Sequence, residues 1–335
     1  MTSSFDLIAF ARALINIDST TGREAEAGKW LAAELQGLGY AVVEQPLARG
    51  CANIVATIDA PVVVFSTHYD CVPPFLPSRV ENDRLYGRGA CDAKGILAAQ
   101  VAAAERLREK GERNVGLLFV AGEERGSDGA ETANAAPIGS RYLINGEPTD
   151  SRVASATRGV LRVNLEAEGK AAHSAAPERG VSAIDKLIDA LVRLRTFDLP
   201  SDPHLGRTFY SVGLIEGGVA PNVISPRASA EILFRTVGEP EEILRILDDL
   251  RPLVSVQEVL RVPAVRLRTV PDMPSEVFPF TTDVPLLDRW GAPLLFGPGS
   301  FLVAHTSDEH VSIAELISAV ATYERLAAAC LAGRA

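Results

Sequence analysis

The chain has 335 residues, 47% of them hydrophobic and 23% charged, which fits a soluble globular protein of about two domains. Its formal net charge of −10 argues against a nucleic-acid partner, which demands a basic surface. No stretch approaches about 18 consecutive apolar residues, so no membrane span is expected, and "MTSSFDLIAF" lacks the basic segment of a signal peptide. Four cysteines, Cys51, Cys71, Cys91 and Cys330, show no CxxC spacing and point to a reduced, cytoplasmic protein.

In chain order, Ser4 is placed to cap a helix through "FDLIAFARALINI", and "EAEAGKWLAAELQGLG" gives a second helix that stops at its glycines. Short strands follow at "YAVVEQPL", "NIVATI" and "VVVFSTH". The last is an unbroken β-branched run, as in a strand covered on both faces. "AKGILAAQVAAAERLREKG" is a long Ala-rich helix, and "NVGLLFVAG" and "RYLINGE" are further buried strands. This alternation predicts an α/β layer with a mostly parallel, mixed sheet. From Arg158 the pattern changes to β-α-β-β-α-β: "VLRVNLEAEG", "VSAIDKLIDALVRLR", "RTFYSVGLIEGG", "RASAEILFRTV", "EPEEILRILDDLRPLV" and "VQEVLRVPAVRL". Beyond Arg268 the chain is proline-rich and loop-like until "GPGSFLVAHTSDEH" and a last helix. Residues 158–267 are therefore expected as an α+β domain inserted into a discontinuous one of residues 1–157 and 268–335.

Charged residues gather where the buried strands end. His68 closes "VVVFST", with Asp70 two residues on and facing the same side. Asp92 lies in "LYGRGACDAKG", where a plain helix N-cap is the ordinary alternative. The GxG of that segment does not follow a buried strand as a dinucleotide fingerprint would. Glu123 and Glu124 stand side by side in "GEERGSDG", Glu147 ends "INGE", and His305 precedes the last helix. Two solvated acids in a loop is the bland reading of the glutamate pair. Gathered in one crevice, however, Asp92, Glu123, Glu124 and Glu147 would repel one another and protonate unless cations lay between them. Two divalent ions remove the difficulty and acidify a water held between them. Imidazole with carboxylate suits zinc, with cobalt or manganese as alternatives. Cys71 and Cys91 lie nearby and are read as filler, and His204 and His310 as surface or supporting residues.

The ordered set HxDxVP, GRGxxDxKG, GEExGSxG, NGEPT and GPGxxxxAHxxDE resembles the M20 family of dinuclear zinc aminoacylases and peptidases over nearly the full chain. That family includes acetylornithine deacetylase, succinyl-diaminopimelate desuccinylase and carboxypeptidase G types. The resemblance implies that Asp92 bridges both metals, that His68 and Glu147 complete one site, and that Glu124 and His305 complete the other. It implies that Glu123 is the general base and that Asp70 orients His68. "GKAAHSAAPERG" resembles the segment whose histidine, here His173, stabilises the oxyanion in the partner subunit's site, implying a homodimer through the inserted domain. Asn222 and Arg235 are the implied substrate contacts, with a structural salt bridge the alternative for Arg235, and Gly299 is a candidate backbone donor to the substrate carboxylate. Two departures stand out. Gly122 occupies a position where many relatives carry Asp, and the segment between the small domain and the C-terminal motif is short.

The expected activity is metal-dependent hydrolysis of an N-acyl amino acid, as in acetylornithine deacetylase. A di- or tripeptidase or a desuccinylase is the alternative within the same chemistry, and a non-catalytic metal-binding scaffold is the remote one. A serine hydrolase is disfavoured because no GxSxG elbow is present.

Overall fold

Periodicity decides which segments become which elements. The computed structural model describes residues 5–335. Ser4 lies outside the described residues, and the first helix is capped instead by Asp6, whose carboxylate accepts the Ala9 N–H at 2.9 Å. The elements run α1 (Leu7–Ile15), α2 (Ala25–Gly37), β1 (Ala41–Pro46), β2 (Ala52–Thr57), β3 (Val63–His68), α3 (Lys94–Glu109), β4 (Val115–Val120), α4 (Asp128–Ala135) and β5 (Tyr142–Asn145). They continue with β6 (Gly159–Glu168), α5 (Ala183–Leu194), β7 (Phe209–Gly217), β8 (Arg227–Thr236), α6 (Pro240–Leu247), β9 (Ser255–Val262), β10 (Ala292–Leu295) and α7 (Ile313–Leu331).

Two compact units result. The first comprises Met1–Ser155, Leu267–Glu276 and Thr282–Ala335. Its six-stranded sheet has the order β1-β2-β4-β3-β5-β10, with β3, β4, β5 and β10 mutually parallel and the β1–β2 hairpin joining antiparallel. The fold is thus mixed α/β. Residues along β3 and β4 alternate between two cores: Val63, Phe65, Leu117 and Phe119 pack under α1, α2, α3 and α7, while Val64, Leu118 and Val120 pack on the other face with Ala130, Ala133 and Trp290. Burial on both sides is why these strands read as unbroken apolar runs. The C-terminal segment, read from sequence as loop-like, supplies the sixth strand β10; its Pro293 is tolerated because β10 is an edge.

The second unit is Ala156–Arg266 with Val277–Thr281. Its antiparallel sheet has the order β7-β8-β6-β9. Leu161, Val163 and Leu165 of β6 and Ile232 and Phe234 of β8 face Leu187, Ala190, Ile243 and Leu247 of α5 and α6. Residues 277–281 return to this unit, which the sequence did not announce, and the Phe278 carbonyl accepts the Arg158 N–H at 3.1 Å.

Among the described residues no helix is long and apolar enough to cross a membrane.

Candidate metal centre

The ends of three parallel strands and two loops of the first unit converge on Asp92. His68, the last residue of β3, has Nδ1 3.0 Å from the carbonyl oxygen of Asp70. A carbonyl only accepts, so Nδ1 carries the proton and Nε2 is left facing the carboxylates. That Nε2 lies 3.0 Å from Asp92 Oδ1 and 3.9 Å from Glu147 Oε2. On the other side of the same carboxylate, Asp92 Oδ2 is 3.3 Å from His305 Nε2, which is 3.0 Å from Glu124 Oε1. Asp92 therefore presents one oxygen to the His68–Glu147 pair and the other to the His305–Glu124 pair.

Glu123 and Glu124 do not sit on the strand. After β4, Gly122 adopts φ +88° and turns the chain into a short 3₁₀ helix, Glu123–Arg125. Side chains in such a turn project about 120° apart rather than to opposite faces, so neighbours in sequence reach one locus. The turn is held by Asp70, whose carboxylate accepts the N–H of Glu123 at 3.2 Å and of Glu124 at 3.1 Å. Asp70 meets His68 mainly through its carbonyl, its carboxylate oxygen being 3.6 Å away. Asp70 thus touches both His68 and the backbone of the glutamate pair. Gly122 has a local cause as well. A Cβ there would stand 2.3 Å from both Arg49 Nη2 and Asp128 Oδ1, and Arg49 pairs bidentately with Asp128 at 2.9 and 2.8 Å. A side chain at this position would need a strained positive φ and a shift of the Arg49–Asp128 pair.

Electrostatics make the cluster a poor apolar core and a good cation site. Burial pushes the Glu123 and Glu147 carboxyls well above the usual range, and neighbouring acids add to the shift. Hydrogen bonds accepted by the Asp92 and Glu124 carboxylates raise the His305 imidazole to about 10. For His68, burial disfavours the charged ring, but Asp70 and Asp92 outweigh it and hold its pKa well above normal. Asp283, which no sequence signal singled out, is buried nearby with its carboxyl raised to about 6, first by desolvation. Donor atoms of His68, Asp92 and Glu124 all lie within 4.8 Å of one another, and two imidazoles with carboxylates on both sides of Asp92 suit a pair of divalent cations.

The remaining candidates separate. Gly299 is buried at φ +82°, a Cβ there would lie 2.6 Å from Cys91 Sγ, and its carbonyl accepts the Asp150 N–H at 2.8 Å. Backbone geometry and packing account for this glycine. Burial pushes the Cys71 thiol to about 12 and the Cys91 thiol well above its ordinary value, leaving both neutral. In the second unit, His173 and Asn222 lie together: His173 bridges to Val223, and the Asn222 carbonyl accepts the Ser174 N–H at 3.0 Å. Arg235 does not join them. It lies eight residues along β8 from Arg227, about 27 Å away at the usual strand rise. Arg235 shares its end of the sheet with Arg158, whose guanidinium covers the ring of Phe209, the cross-strand partner of Arg235. Burial depresses the pKa of both guanidiniums, and neither has a carboxylate partner among the described residues. Glu309 and Arg88, also missed from sequence, form a buried ion pair beside Asp92.

A sequence model of peptidase family M20/M25/M40 matches residues 64–329. A probable carboxypeptidase of Aspergillus terreus is 36% identical over 378 aligned positions, covering 98% of this chain and 87% of that protein. Among solved structures, a tripeptidase from Staphylococcus aureus superposes with a TM-score of 0.84 at 21% identity, covering 98% of this chain and all of the other. A dinuclear metal-binding M20 peptidase of Bacillus subtilis gives 0.72 at 16% identity, covering 96% of each chain.

Proposed function

The chain belongs to peptidase family M20/M25/M40, and from that premise we propose that it is a two-metal hydrolase releasing the C-terminal amino acid of a short peptide. Hydrolysis of an amide or peptide bond is common to the family and to its relatives here. The observation that carries the reading is the Asp92 carboxylate with His68 and Glu147 at one oxygen and His305 and Glu124 at the other.

Zinc is the proposed metal, with cobalt or manganese as substitutes; two such ions supply Lewis acidity to a water and to the scissile carbonyl. Glu123 takes a proton from the attacking water as its oxygen adds to the carbonyl carbon, and returns it to the nitrogen as the C–N bond breaks. Asp70 keeps Glu123 in place through the backbone N–H it accepts. His173 donates to the carbonyl oxygen as negative charge develops there. Arg235, with Arg158 beside it, pairs with the substrate carboxylate.

A homodimer follows from the same reading, with His173 and Asn222 serving the partner's site. It is supported by the exposed apolar row Ile184, Ile188 and Val192 on α5 and by Leu214 and Ile215 on the edge strand β7, which are 59% and 62% exposed. An apolar helix face beside an unpaired strand edge fits a second copy. Mixing the inactive variants Glu123→Gln and His173→Ala tests this: random exchange gives about a quarter of all sites both intact residues. Recovery to about that level is expected, and none would refute action across subunits. All four cysteines are free and buried, which supports a reducing, cytoplasmic setting.

A second reading is removal of the acyl group from an N-acyl amino acid such as acetylornithine. The "GPGS…AHTSDEH" ending favours it, whereas the carboxypeptidase relatives favour peptides. A panel of di- and tripeptides, acetylornithine, acetylcitrulline and succinyl-diaminopimelate, assayed with zinc or cobalt, separates them. Peptides should be cleaved with the higher kcat/KM; turnover of acyl amino acids alone would overturn the peptidase assignment.

A further inference from the structure

We infer that Glu309 is a positioning residue for the metal centre: its buried carboxylate fills a nest of loop N–H groups and so holds Asp92 where the two halves of the centre meet. Oε1 of Glu309 accepts three backbone N–H groups, from Gly89 at 2.9 Å, Cys91 at 3.2 Å and Asp92 at 3.1 Å. The three converge because Gly89 takes φ +87°, which curls successive amides toward one point. Oε2 accepts from Arg88 Nη1 at 2.5 Å, and Arg88 Nε donates to the Pro74 carbonyl at 3.2 Å. Glu309 and Arg88 are both almost fully buried.

The segment that carries Glu309 is fixed on both sides. Gly87 N–H donates to the Glu309 carbonyl at 3.2 Å, and His310–Ser312 pairs antiparallel with Arg84–Tyr86. His305 lies only four residues earlier. One segment therefore presents His305 to Asp92 Oδ2 and, through Glu309, fixes the backbone from which Asp92 projects. A buried Arg–Glu pair is by itself weak reason for stability, since an apolar pair often does as well. What an apolar pair cannot do is accept three N–H groups. That difference separates a positioning role from a merely structural one.

The inference rests on the reading of Asp92 as the residue shared by two cations. Its test uses the full chain, stripped of metal and titrated with Co²⁺, following visible absorption and calorimetry. The double variant Arg88→Met with Glu309→Gln keeps a neutral acceptor for the loop and removes the guanidinium that would oppose the amide. It should bind two Co²⁺ with nearly the wild-type affinity and spectrum. Arg88→Met with Glu309→Leu keeps the packing but not the acceptor, and should bind cobalt about 10–100-fold more weakly with an altered spectrum. Glu309→Asp keeps the charge beside Arg88 but withdraws the acceptor by about one C–C bond, about 1.5 Å. It should show the same weakening, and it carries the test should the leucine variant not fold. Wild-type affinity and spectrum in the folded leucine or aspartate variant would overturn the positioning role. Wild-type protein that binds fewer than two Co²⁺ would instead remove the two-cation reading.

Discussion

Glu123→Gln is expected to lower kcat by about 10²–10⁴-fold, some 3–5 kcal/mol of barrier, while the protein keeps both metals. The direction follows from geometry. Glu124 faces His305 at 3.0 Å and is the proposed ligand, whereas among the described residues Glu123 is held through its backbone N–H, which leaves its side chain to exchange a proton. Stability should move the other way. Burial, with Glu147, Asp283 and Glu124 nearby, raises the Glu123 pKa in the folded metal-free chain. A carboxyl raised in this way binds its proton more tightly folded than unfolded. Folding is therefore most favoured below about 4.5, and stability falls as pH rises from there through the raised pKa. Glutamine removes that decline, so metal-free Glu123→Gln should melt higher than wild type at pH 8 and about equally at pH 4. Turnover within threefold of wild type, with metal content measured in parallel, would dismiss Glu123 as the base.

Asp92→Ala should be the most damaging single change to metal content. Both imidazoles lean on this carboxylate, His68 at 3.0 Å and His305 at 3.3 Å, from opposite oxygens. Removing it takes a ligand from each proposed cation at once, a larger loss than the about 10–100-fold that follows loss of an outer partner. After dialysis the variant should hold at most one ion per chain by elemental analysis, with activity at background. Asp92→Asn keeps the shape and one oxygen but not the charge, and should fall between. Two ions retained by Asp92→Ala would end the case for a shared carboxylate.

Much of this arrangement was legible in the sequence because it is carried by strand ends. Buried runs closing on His68, Glu123–Glu124 and Glu147 mark where a parallel sheet opens its crevice, and the order of the motifs marks the family. Four things were not legible. The strand Ala292–Leu295 is four residues long and contains Pro293, so nothing local distinguishes it from a loop; only pairing with Tyr142–Asn145 makes it a strand. The helix Asp128–Ala135 is short and Ala-rich, with too little apolar contrast for a 3.6-residue pattern. The backbone contacts of Asp70 and Glu309 span 53 to 220 positions in the chain, and no periodicity reports an acceptor reaching that far. The position of Arg235, remote from Asn222, likewise became visible only with the length of β8.

The order in which the chain supplies these parts has a consequence for its synthesis. Translation delivers the N-terminal end first, and domains fold as they emerge. When residues 156–266 leave the ribosome, the sheet of the first unit still lacks Ala292–Leu295, and neither His305 nor Glu309 has been made. A nascent protein at that stage has His68, Asp92, Glu124 and Glu147 but nothing to close the second half of the cluster or to pin the Gly89–Asp92 loop. Assembly of the proposed centre therefore waits on the segment that carries His305 and Glu309, and a polypeptide that has not yet reached it holds only half of the cluster.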